Sequence, residues 1–142
     1  MIKRIVPAAL AATALVASVA APAAARPATT FQLQQGSNTL SGTYHMVADP
    51  QYKTWTIDYH HKVNDGCSGL FYSERWQAPP EDYGQPPGPH PFCAPASAKI
   101  EGVIIQLAAR NYYIPGLILC RSATLPVVPS AANCTAPRAL TV

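Results

Sequence analysis

A chain of 142 residues, 49% hydrophobic and 12% charged, has the length of a single domain. Its formal charge of +3 is largely a property of its first segment. Beyond residue 25, eight Lys and Arg face seven Asp and Glu. Those basic residues are scattered singly, whereas nucleic-acid binding needs them gathered on one face, so that class is excluded from the expected partners.

Residues 1–25 read as a secretory signal peptide. Lys3 and Arg4 form the basic start, residues 5–21 are apolar and Ala-rich, and Ala23, Ala24 and Ala25 offer small residues for cleavage. The remaining 117 residues are expected to be released, extracellular and free of the membrane. An Ala-rich leader of this kind is a compositional hint of a bacterial source. Residues 26–38 are polar and Gln-rich and read as a flexible N-terminal segment, with a single β-domain over 39–142.

Residues 39–47 have Leu40, Tyr44 and Met46 on one parity and read as a strand, closed by the turn signal Asp49-Pro50. Residues 53–63 give the clearest strand. Trp55, Ile57, Tyr59 and Val63 alternate with Thr54, Thr56, Asp58, His60 and Lys62, a period of two with one apolar face. Residues 68–76 read as a second strand, and Asn64-Asp65-Gly66 between them predicts a hairpin. A two-residue turn at Asp65-Gly66 places Leu70, Tyr72 and Trp76 in the core. A three-residue loop with a Gly66 bulge turns them outward as a stripe. The first register buries more apolar area and is the one expected.

Residues 78–95 contain seven prolines and two glycines, which rules out a helix or a central strand. A long, extended, partly polyproline-II surface loop is expected, tethered near its end by Cys93. Residues 98–110 fit a helical face in part, but Gly102 and the β-branched run Val103-Ile104-Ile105 favour a buried strand. Pro115-Gly116 separates short strands at 112–114 and 117–120. A second loop follows at 122–133, and residues 138–142 form a closing strand.

Four cysteines in an exported chain read as two disulfides. Nearest-neighbour pairing, Cys67 with Cys93 and Cys120 with Cys134, closes one irregular segment each. Their spacing contains no zinc knuckle. The expected architecture is all-β: a small disulfide-stabilised antiparallel β-sandwich or barrel with a long Pro-rich loop.

No catalytic or metal-binding residue is assigned, and no cofactor. Asp58, His60 or His61, and Ser68 stand in the order of a nucleophilic triad, with Ser68 beside Cys67 and no nucleophile elbow around it. His60 and His61 point to opposite strand faces and cannot chelate one ion. Asp58, Glu74 and Glu101 supply carboxylates, but no spacing pairs them for glycoside cleavage. The expectation is therefore a small secreted binding protein with an extracellular protein or carbohydrate as its unknown partner. The protein is expected to act through the Pro-rich loop and exposed aromatics, with Tyr72, Trp76, Tyr83, His90 and Phe92 as candidate contacts. The profile is shared by secreted bacterial enzyme inhibitors, as an analogy of architecture alone. A small secreted hydrolase and a structural envelope or matrix component are the alternatives.

Overall fold

The computed structural model describes residues 27–77, 80 and 82–142. The expected signal segment, residues 1–25, lies outside them. Eight strands are present: β1 Thr29–Gln35, β2 Asn38–Ala48, β3 Tyr52–Val63, β4 Cys67–Ser73, β5 Phe92–Cys93, β6 Ala96–Ala108, β7 Gly116–Ser122 and β8 Arg138–Ala139. They form two four-stranded antiparallel sheets, ordered β1-β2-β3-β6 and β5-β4-β7-β8, which pack face to face as a sandwich.

The inner faces meet in one core. Leu33, Leu40, Tyr44, Trp55, Ile57, Val103, Ile105 and Leu107 enter it from the first sheet, Leu70, Leu117 and Leu119 from the second, and Leu140 from the C-terminal segment. Period-two alternation put these residues on one face of each strand, and the outer face of the first sheet stays polar. The C-terminal segment is locked to the first sheet by two polar contacts. Trp55 Nε1 donates to Leu140 O at 3.1 Å, and the Tyr44 hydroxyl donates to Thr141 O at 2.5 Å. Both side chains thus bury their rings while their polar tips are satisfied.

The 98–110 segment is a strand, as its β-branched run requires. Two residues of β6, Glu101 and Gly102, oppose Asp58 of β3 at a bulge, where the register shifts between Ile57 and Tyr59. Asp58 Oδ1 accepts the Gly102 N–H at 2.7 Å, and Gly102 has φ +72°. The Asp49-Pro50 turn joins β2 to β3, with Asp49 Oδ1 accepting the N–H groups of Gln51 and Tyr52.

The hairpin expected between β3 and β4 does not form. β3 pairs with β2 and β6, and β4 pairs with β5 and β7 in the other sheet. Residues 64–66 are a corner between sheets, so neither proposed register applies. The corner is held from β2. Buried Asn38 accepts the N–H groups of Asn64 and Asp65 through Oδ1, at 2.8 and 3.0 Å, and donates Nδ2 to Asp65 O at 2.9 Å. Gly66 has φ +62°, and a Cβ there would lie 2.4 Å from Ser122 O. A turn tripeptide rich in Asn, Asp and Gly reverses or redirects a chain equally well. What decides is that β4 is covered on both faces and lies inside the second sheet.

Three further expectations are corrected. Residues 29–35, expected in a flexible lead-in, are edge strand β1, because Phe31 and Leu33 reach the core from a polar sequence. Residues 112–114 are not a strand but part of the crossing between sheets. The closing strand is confined to two residues.

Candidate functional site

β4 and β7 carry apolar residues on both faces. Leu70 and Leu117 point into the sandwich, while Cys67, Phe71, Ile118 and Cys120 point outward, where they form a second buried cluster with Val127. Two segments cover that outer face. The first runs through residues 82–93 along the free edge of β4. Gly84 exchanges both backbone hydrogen bonds with Tyr72, and Phe92 and Cys93 pair with Ser68 and Cys67. Four more residues separate Gly84 from Phe92 than separate their partners on β4, and this slack holds buried Pro86 and exposed His90. The expected long surface loop, tethered near its end by Cys93, is over its described part a strip laid along β4. Ala78, Pro79 and Glu81 lie outside the described residues. The second segment, residues 123–133, crosses the outer face of β7. Asn133 fixes it by donating Nδ2 to Arg121 O and to Val128 O, both at 2.9 Å.

Each covering segment is stapled by one disulfide, Cys67–Cys93 for the first and Cys120–Cys134 for the second. This is the nearest-neighbour pairing. Both bridges sit at directly opposed antiparallel positions flanked by hydrogen-bonded pairs. Ala94 N donates to Gly66 O beside the first, and Arg121 N to Asn133 O and Thr135 N to Leu119 O beside the second. Opposed residues between hydrogen-bonded pairs have the closest Cα and Cβ atoms of an antiparallel ladder, which suits a bridge. The two bridges also place the folded chain in an oxidising environment. No helix among the described residues is long and apolar enough to cross a membrane.

Between the stapled segments lies an open groove of about 450 Å³, lined by Phe71, Gln85, His90, Pro91, Leu125, Pro126 and Val127. Pro91 rests directly on β4, since a Cβ on Gly69 would come within 2.6 Å of its Cγ. The floor is apolar, Leu125 is exposed at the rim, and His90 and Gln85 supply the polar groups.

The five candidate contact residues do not form one surface. His90 lines the groove. Tyr83 packs, half-buried, on the outer cluster next to Cys134. Tyr72 packs against the inner core, and its hydroxyl is pushed above its usual range by burial and by the nearby Glu74 and Asp82 carboxylates. Phe92 is half-buried and meets His61 edge-on at 4.7 Å. Trp76 lies beyond the end of β4, half exposed, so no Tyr72–Trp76 stripe exists. The groove residues missed by the sequence reading are Phe71, Leu125, Pro126 and Val127. Phe71 has the opposite parity to the inner-core residue Leu70, and the sequence of residues 122–133 carries no signal that they fold back over β7.

The triad order resolves differently. His61 Nε2 lies 2.9 Å from Ser68 Oγ, but both residues are buried between the sheets. Burial, with His60 adding to it, pushes the His61 imidazole down to about 4. Asp58 stands on the opposite face of β3 and is engaged with Gly102. Among the described residues no carboxylate orients the histidine, and Ser68 has no exposed surface for a substrate to reach. Glu74 is exposed beyond the end of β4, in the other sheet from Asp58 and Glu101. Among the described residues no group of three or more His, Cys, Asp or Glu side chains gathers around a possible metal position.

No family model matches the chain, and no match was found among curated proteins or solved structures.

Proposed function

We propose that this protein is a small secreted binding protein that takes an apolar side chain of an extracellular protein partner into the groove between its two stapled segments. The observation that carries this reading is the groove's construction. Phe71, Pro91, Leu125, Pro126 and Val127 give it an apolar lining, and each wall is covalently fixed to the sheet beneath. A pocket whose walls are ordered before binding loses little conformational entropy when a partner docks. The lining also matches the usual make-up of a recognition pocket, apolar with a few polar groups at its mouth. Release from the cell is supported by the signal-like sequence of residues 1–25 and by the disulfides.

The test uses the mature protein, cross-linked in culture supernatant and cell-wall fractions, with two charge insertions. Leu125→Asp places a carboxylate at the groove rim. Ile104→Asp places one on the outer face of the other sheet, at a comparably exposed position. Capture of one protein species by the wild type and by Ile104→Asp, lost in Leu125→Asp, is the expected result. Equal capture by all three removes the groove from the interaction.

A further inference from the structure

A second surface lies where β4 ends. Ser73 Oγ donates to Arg75 O at 2.7 Å and turns the chain so that Trp76 meets the crossing between β6 and β7. The Trp76 backbone N–H donates to Ile114 O at 2.6 Å, and its indole Nε1 donates to Pro137 O at 2.8 Å. Cδ1 of the ring packs on Gly116, where a Cβ would approach it to 3.3 Å. The pyrrole edge is therefore fixed, yet Trp76 keeps 50% of its surface exposed. Beside it the Arg75 guanidinium sits 5.0 Å over the Tyr113 ring, and Tyr112 is 93% exposed.

We propose that Trp76, with Arg75 and the Tyr112-Tyr113 pair, is a carbohydrate-stacking platform for a β-1,4-linked pyranose chain. Such a sugar presents a flat face of axial C–H groups and a rim of equatorial hydroxyls. The C–H face stacks on an indole whose N–H is already satisfied, and the rim meets Arg75, Glu74 and the Tyr112 hydroxyl. A protein partner is served less well. Aromatic anchors at protein interfaces draw strength from an apolar surround that excludes water, whereas the surround of Trp76 is mixed: Tyr112, Tyr113 and Ile114 are exposed on one side, and the exposed charges of Glu74 and Arg75 keep water at the other. Two hydrogen bonds hold the ring in its exposed pose, so stacking costs little ordering. This site is separate from the groove, and neither proposal depends on the other.

The chain has two tryptophans, and Trp55 is buried with its indole N–H on Leu140 O, so a change in emission on ligand addition reports Trp76. The probes are cellohexaose and the hexamer of β-1,4-linked N-acetylglucosamine, added to the full mature protein up to about 10 mM, with affinity checked by calorimetry. Saturable quenching by at least one of them is expected. Trp76→Ala should weaken calorimetric binding at least roughly tenfold, and Trp76→Phe, which keeps a ring, should weaken it less. Tyr112→Ala, at a position free of packing, should also weaken it and guards against misreading an unfolded Trp76 variant. Leu125→Asp should leave sugar binding unchanged. Unaltered emission with both hexamers overturns the proposal, as does binding that survives Trp76→Ala. So does capture of a protein that depends on Trp76 without any sugar response.

Discussion

His61 and Ser68 share a 2.9 Å hydrogen bond across the space between the two sheets, at the end of the sandwich where the chain crosses from one sheet to the other. A histidine held neutral in such a place links folding to protonation. Its folded value is about 4, below the ordinary 6.5, so between those values the unfolded chain binds more protons than the folded one. The stabilisation from His61 is complete above about pH 6.5 and declines as pH falls towards about 4. The loss amounts to on the order of 3 kcal/mol. Urea midpoints between pH 7 and pH 4 should fall accordingly, and His61→Gln, which does not titrate, should flatten that slope whatever its effect at pH 7.

Asn38 should prove the most sensitive polar position of the corner. Replacing it by Ala strands the N–H groups of Asn64 and Asp65 and opens a gap at a fully buried site. A loss of about 2–3 kcal/mol is expected from urea denaturation. Asn38→Asp keeps the acceptor oxygen but replaces the donating amide by a buried carboxylate oxygen facing Asp65 O, so it should also destabilise at neutral pH and recover relative to the wild type as the carboxyl is protonated in acid. No such recovery of Asn38→Asp on acidification would mean that acceptance by Oδ1 is not what holds the corner.

Asp58 should behave as a structural residue. Its carboxylate anchors the bulge by accepting the Gly102 N–H. Asp58→Ala should lower stability by about 1 kcal/mol, Asp58→Asn by less, and hydrogen exchange should quicken at Gly102. Loss of a hydrolytic turnover in Asp58→Ala, with stability unchanged, would instead make the carboxylate catalytic.

Each disulfide should matter on two counts. The closed segments have sequence separations of 26 and 14, for which chain entropy gives about 3 kcal/mol each. Cys67→Ser with Cys93→Ser should also free the strip carrying Pro91 from β4, and Cys120→Ser with Cys134→Ser the segment carrying Val127. Limited proteolysis should cut each variant in the segment it releases, at residues 84–93 or 123–133. Cleavage in the other segment would show that the groove walls are not held separately.

The strands were largely legible because burial follows parity. Trp55, Ile57, Tyr59 and Val63 declare one inward face, and Val103-Ile104-Ile105 favours an extended chain over a helix. What parity cannot convey is which strand lies beside which. Asn64-Asp65-Gly66 fits a hairpin and a corner alike, and the deciding contact comes from Asn38, 26 positions away. The groove was less legible still. Phe71 has the wrong parity for the inner core, and only the folding back of residues 123–133 over β7 turns it from a surface residue into a floor. The favoured register puts Trp76 in the core, whereas its fixed, half-exposed pose depends on Ile114 O and Pro137 O, both distant in the chain.

In the strip along β4 and the segment over β7, Gln85, His90, Leu125 and Val128 are exposed and stand outside the inner core. With the cysteines and the packed residues Pro86, Pro91, Phe92, Val127 and Asn133 kept, the exposed residues of both segments are free to be replaced without dismantling the sandwich. A library randomised at Gln85, His90, Leu125 and Val128 should therefore yield mostly folded members that differ in what they hold, as an interchangeable grip on a constant frame.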